Sequence, residues 1–74
     1  MRRYPEVDGA RLRQLRLEQA LTQRALSKMT GVSEDAISRL ENELRPAKPS
    51  TIRRLAQGLR VEPRELVKTE GGNV

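Results

Sequence analysis

Seventy-four residues bound this chain to one domain, near the lower size at which a hydrophobic core holds a fold unaided. With no Cys and no His, disulfides and zinc sites of the Cys/His kind are excluded, and one Tyr without Phe or Trp leaves an aliphatic core. A formal charge of +5 and a pI near 10.7 fit an acidic partner such as nucleic acid, and fit a plain Arg-rich surface equally well.

The chain opens with a loose basic arm over residues 1–7, holding Arg2, Arg3 and Pro5. Asp8 is placed to cap a first helix running to about Glu18, with Leu12 and Leu15 on its inner face and Arg16 beside them. Thr22 caps a second helix, Gln23 to about Thr30, in which Leu26 and Met29 repeat at i, i+3 and Ala25 and Ser27 are small. Gly31 falls just past that helix, where a left-handed residue without a Cβ is favoured. Val32 packs the turn. Ser33 caps a third helix whose first turn carries Glu34 and Asp35 and whose inward pair is Ile37 and Leu40. Residues 43–49 read as a loop, because Pro46 and Pro49 disfavour a continuous helix.

Ser50 caps a fourth helix with the apolar stripe Ile52, Leu55, Ala56 and Leu59. Val61 and a short helix opened by Pro63, with Leu66 inward, complete a domain that spans 8–68. The polar tail 69–74, with Gly71 and Gly72, is expected to be disordered. No strand pattern emerges. The expected fold is therefore all-α, a compact bundle of five short helices.

Charge is uneven along the chain: residues 1–32 hold seven Lys/Arg against three Asp/Glu, and residues 33–74 hold eight against seven. No apolar run approaches the roughly 18 residues of a bilayer span and no signal peptide is visible, so no membrane partner and a cytoplasmic location are expected.

The informative feature is the spacing inside residues 22–42: a capped helix, a glycine turn and a second capped helix. Two short helices cross steeply only where the first is small against the second. Ser27 supplies the small residue, Gly31 the turn, and Val32, Ile37 and Leu40 the packing. Helix-turn-helix motifs use this geometry to lay the second helix in the major groove while the first crosses the backbone. Helical hairpins with a Gly turn also occur in proteins that bind no DNA.

The pieces Leu12-Arg13-Gln14-Leu15-Arg16, Leu21-Thr22-Gln23, Leu26-Ser27, Gly31-Val32-Ser33, Ile37-Ser38-Arg39-Leu40-Glu41-Asn42, Pro49-Ser50 and Leu55-Ala56 through Leu59 fall in one register. In these the chain resembles the Cro/repressor (XRE-like) helix-turn-helix family over about residues 8–67. The resemblance implies a lambda-repressor-like DNA-binding domain and assigns roles by position. Gln23, opening the second helix, matches a phosphate-contacting Gln, and free N–H groups at a helix N-terminus suit an anion independently. Asn42 matches another phosphate position. Arg45 and Lys48 are further phosphate candidates or plain solvated charges.

Arg16 and Glu41 match a buried salt bridge between the first and third helices, a pairing that a charge beside Leu15 and Leu40 would need. Base reading is expected on the outer side of the third helix, from Ser33, Glu34, Asp35, Ser38 and Arg39. Arg39 leads, because a guanidinium bonds both O6 and N7 of guanine; a phosphate contact is its other role. Glu34 and Asp35 repel phosphate, and are explained either by cytosine N4 contacts or by the helix dipole. The loop after the third helix departs from the family, which has a Gly near the position of Glu43. Arg2 and Arg3 are either a minor-groove arm or a solvated terminus.

The expected function is a sequence-specific, DNA-binding transcription regulator of the repressor type. It would act on the nucleoid, as a homodimer on pseudo-palindromic double-stranded DNA with half-sites about 34 Å apart. Val67 and Leu66 are candidates for the dimer surface, with core packing the other role for Leu66. The alternative is a protein-interaction module, an antitoxin or adaptor that keeps the fold but has a protein partner. No cofactor and no metal are expected. An enzyme is not expected either, because the chain lacks a Gly-rich phosphate loop and room for a usual substrate pocket.

Overall fold

The Asp8 carboxylate accepts the Arg11 backbone N–H at 3.1 Å, and from that cap the first helix, α1, runs Gly9–Glu18. The structure, a computed structural model, describes residues 4–42 and 45–68. Thr22 caps α2 (Gln23–Thr30), its hydroxyl accepting the Ala25 N–H at 2.9 Å. Ser33 does the same for α3 (Glu34–Asn42), taking the Ala36 N–H at 3.1 Å. Each cap satisfies an N–H that a helix start leaves without a partner. Between α2 and α3, Gly31 sits in the left-handed region at φ 80°, and its N–H closes the turn onto the Ser27 carbonyl at 2.8 Å.

The expected fourth helix, α4, spans Pro49–Leu59, and its cap differs from expectation. Lys48, not Ser50, stands at the cap position and gives no side-chain bond there, while Pro49 takes the first turn. Proline's fixed φ and missing N–H suit that position, so the helix starts two residues earlier than a serine cap would set it. The last element is a single 3-10 turn, Pro63–Leu66, rather than a fifth α-helix.

The largest departure is at the start of the chain. Residues 6 and 7 are not part of a loose arm: Glu6–Val7 form a strand, β1, antiparallel to β2 (Arg45–Pro46). On its other side Val7 bridges Val67, the Lys68 N–H donates to the Glu6 carbonyl at 2.9 Å, and the Asp8 N–H to the Leu66 carbonyl at 2.8 Å. Val7 is fully buried, a burial that contributes about 1.5–3 kcal/mol. Two residues show too little alternation to announce a strand, and only the pairing partners make one. Residues 1–3 of the expected arm, Glu43 and Leu44, and the tail 69–74 lie outside the described residues.

The core is aliphatic throughout: Val7, Leu12, Leu15, Leu26, Val32, Ile37, Leu40, Ala47, Ile52, Leu55, Ala56, Leu59 and Leu66. Met29, expected on the inner face of α2, is 54% exposed. Its i, i+3 spacing from Leu26 puts it at the edge of the stripe, beside Arg54, Gln57 and Gly58 of α4, which leave more than half of it open. Two glycines allow close approach that nothing in the pattern announced. A Cβ on Gly9 would collide with the backbone carbonyls of Leu40 and Glu41, so α1 begins against the end of α3. A Cβ on Gly58 would meet the Thr30 side chain, which lets α4 close on α2.

Candidate nucleic-acid interface

The candidate site is the outer face of α3 with the N-terminus of α2 beside it. Ile37 and Leu40 turn inward, while Ser33, Glu34, Asp35, Arg39 and Asn42 are exposed and Ser38 is half-buried. Four of the five positions expected to read bases are therefore open to solvent, and Ser38 is partly covered. The α3 backbone beneath them is held by its buried residues and by the Ser33 cap.

A buried ion pair joins α1 to α3. Arg16 Nε donates to Glu41 Oε2 at 2.6 Å and Arg16 Nη2 to Glu41 Oε1 at 2.9 Å, with the side chains 9% and 1% exposed. Arg16 Nη1 donates to the Leu21 carbonyl at 2.7 Å. The bond to Glu41 raises the Arg16 pKa above its ordinary value, burial opposes that shift, and the Glu41 charge adds to it. The guanidinium is thus fully charged and fork-bonded, which is the geometry in which a buried pair is tolerated.

Gln23 joins this pair. Its Nε2 donates to Glu41 Oε1 at 3.0 Å, so the residue expected to face a phosphate is tied by one N–H to the α1–α3 brace. The other amide hydrogen and the carbonyl oxygen are not used in that bond. Nothing in the sequence spacing of 23 and 41 signalled this contact. Only the crossing of α2 over α3 makes it.

On α3 itself, Arg39 and Asp35 form an ion pair, Nε lying 3.1 Å from Oδ2, with the side chains 56% and 77% exposed. The i, i+4 spacing of Asp35 and Arg39 is the signal that could have found this pair. Asn42 Nδ2 donates to Ser38 Oγ at 3.4 Å, a long bond on the same face. Lys48 is exposed at the start of α4, and Arg45 is half-buried in β2, opposite Val7.

Charge is distributed differently from the simple halves of the chain. Over residues 4–42 six Lys/Arg balance six Asp/Glu, whereas residues 45–68 hold seven Lys/Arg against two Asp/Glu. Within the described residues the positive excess thus belongs to β2, α4 and the residues that flank α4 and the 3-10 turn, Lys48, Arg60 and Lys68, while the helix pair α2–α3 is neutral overall. Leu66 is fully buried and belongs to the core, while Val67 is half-buried against β1. Among the described residues no group of His, Cys, Asp or Glu is disposed to hold a metal, and no helix is long and apolar enough to cross a membrane.

A family model described as Helix-turn-helix matches residues 12–66. The HTH-type transcriptional repressor RghR of Bacillus subtilis (strain 168) is 46% identical over 57 residues, covering 76% of this chain and 42% of that protein. The chain thus spans less than half the length of that curated relative. Among solved structures, the restriction-modification controller protein C.AhdI of Aeromonas hydrophila superposes with a TM-score of 0.72. It is 35% identical, over 77% of this chain and 86% of that one. A variant of hydroxyethylphosphonate dioxygenase superposes with a TM-score of 0.75 at 24% identity, over 92% of this chain but 15% of that one, a likeness of fold alone.

Proposed function

The chain belongs to the helix-turn-helix family, and on that premise we propose that it is the DNA-reading domain of a sequence-specific transcription regulator of the repressor type. In this reading α3 enters the major groove of double-stranded DNA and presents Ser33, Glu34, Asp35, Ser38 and Arg39 to base edges. Gln23 and Asn42, with Arg45 and Lys48, contact the phosphates on either side. Arg16 and Glu41 touch no DNA and hold α3 at its angle. The domain acts as a homodimer on a pseudo-palindromic site, because one α3 reads too few base pairs to be specific. It works in the cytoplasm, where such DNA is reached.

The observation that carries the reading is the unpacked outer face of α3, with Ser33, Glu34, Asp35 and Arg39 all exposed above the buried Ile37 and Leu40. Selection of bound duplexes from a random pool tests it. The expected return is a short motif repeated with two-fold symmetry at about one helical turn, bound with a steep loss of affinity as salt rises.

The charge balance across residues 4–42 favours a second reading, a module whose main partner is a protein. A selection that enriches no motif, together with a flat salt response, decides for that one.

A further inference from the structure

Glu34 and Asp35 open the helix that should meet a polyanion, and their negative charge there needs an account. For Asp35 the account lies one turn further along, in the ion pair with Arg39. We propose that Asp35 is a positioning residue that aims the Arg39 guanidinium at guanine and keeps it off the phosphates. This rests on the reading of α3 as the groove helix.

The ion pair brings Arg39 Nε to 3.1 Å from Asp35 Oδ2. A guanidinium has five N–H donors in a fixed plane. With the carboxylate nearest Nε, the edge formed by Nη1 and Nη2 is left for other acceptors. That edge carries two parallel donors at the spacing of guanine O6 and N7. Left unheld, a long arginine in a groove walled by phosphates has two classes of acceptor within reach, and the phosphates carry the charge. A carboxylate one turn back alters this competition in two ways. It narrows the range of positions the guanidinium samples, so less conformational freedom is lost on binding a base. It also cancels the net charge at that point, so a phosphate contact there gains little.

The pair is exposed in the free protein, where such pairs contribute little to stability. In a closed groove, water is excluded and the same contact strengthens. The consequence is a specificity residue with little effect on folding. Glu34, exposed in the same first turn, has no part in this.

The test uses the full chain and the duplex selected by the wild-type protein. Binding is measured across a salt series to that duplex, to versions with each guanine of the half-site replaced, and to an unrelated duplex. The wild type is expected to discriminate at one guanine by about tenfold or more. Asp35→Asn is expected to lose most of that discrimination while binding the unrelated duplex more tightly, with a salt slope steeper by about one as Arg39 turns to a phosphate. Asp35→Glu, which still pairs at i, i+4, is expected to restore discrimination. Adding Asp35→Asn to Arg39→Ala is expected to change discrimination no further.

A variant Asp35→Asn that keeps its guanine preference and loses only thermal stability overturns the proposal and leaves a helix-dipole residue. A selected site in which no position prefers guanine overturns it as well, with the groove reading intact. A wild type that selects no duplex overturns the groove reading and this proposal together.

Discussion

Arg16–Glu41 and Arg39–Asp35 join the same two chemical groups through the same nitrogen, one pair sunk in the α1–α3 seam and the other standing on the outer face of α3. The first is 9% and 1% exposed and hydrogen-bonded at two points, 2.6 and 2.9 Å; the second is 56% and 77% exposed and is an ion pair at 3.1 Å without such a bond. Burial is what separates their roles. In the seam, neither charge can recover its hydration if the other is removed, so each depends on the other. On the face, water replaces either partner, and the pair is left to influence whatever approaches α3.

The sharpest way to break this contrast is Glu41→Ala. It strands the Arg16 charge and is expected to cost about 3–5 kcal/mol, read as the shift in a urea denaturation midpoint at unchanged slope. A melt that moves by no more than about a degree would remove the seam pair from the fold's supports. The joint replacement Arg16→Met with Glu41→Leu removes both charges, and it is expected to recover most of that loss because no unpaired ion remains. Next in size is Gly9→Ala, whose Cβ meets the Leu40 and Glu41 carbonyls at the same seam. Prying α1 from α3 there is expected to cost about 1–3 kcal/mol in the same titration.

Gln23→Ala removes one bond to the buried carboxylate and is expected to cost about 1 kcal/mol. Smallest of all, Asp35→Asn is expected to move stability by less than about 0.5 kcal/mol, and a loss comparable with that of Glu41→Ala would erase the distinction between the pairs. Alkaline pH sharpens the seam side. The Arg16 pKa is raised in the folded protein, so its stabilising contribution is complete below the ordinary arginine value and is lost only as pH rises above it. The stability difference between wild type and Arg16→Met is therefore expected to be equal at about pH 7 and pH 10, as measured by denaturation at both.

Much of this molecule is set by local chemistry. Asp8, Thr22 and Ser33 cap their helices because a short oxygen-bearing side chain at a helix start reaches the N–H three residues on, whatever surrounds it. Gly31 turns the chain because left-handed backbone is cheapest without a Cβ. Ile37, Leu40, Ile52, Leu55 and Leu59 go inward because their spacing keeps them on one side of a helix. Tertiary structure alone decided the rest. β1 exists because β2 and residues 66–68 flank it, and its two residues have no extended preference strong enough to show by themselves. Gly9 and Gly58 matter for the backbone or side chain that each faces across a helix crossing. Gln23 meets Glu41, and Met29 stays outside, for the same reason: spacing along one helix specifies which residues share a face, but only the neighbouring elements decide what, if anything, covers it.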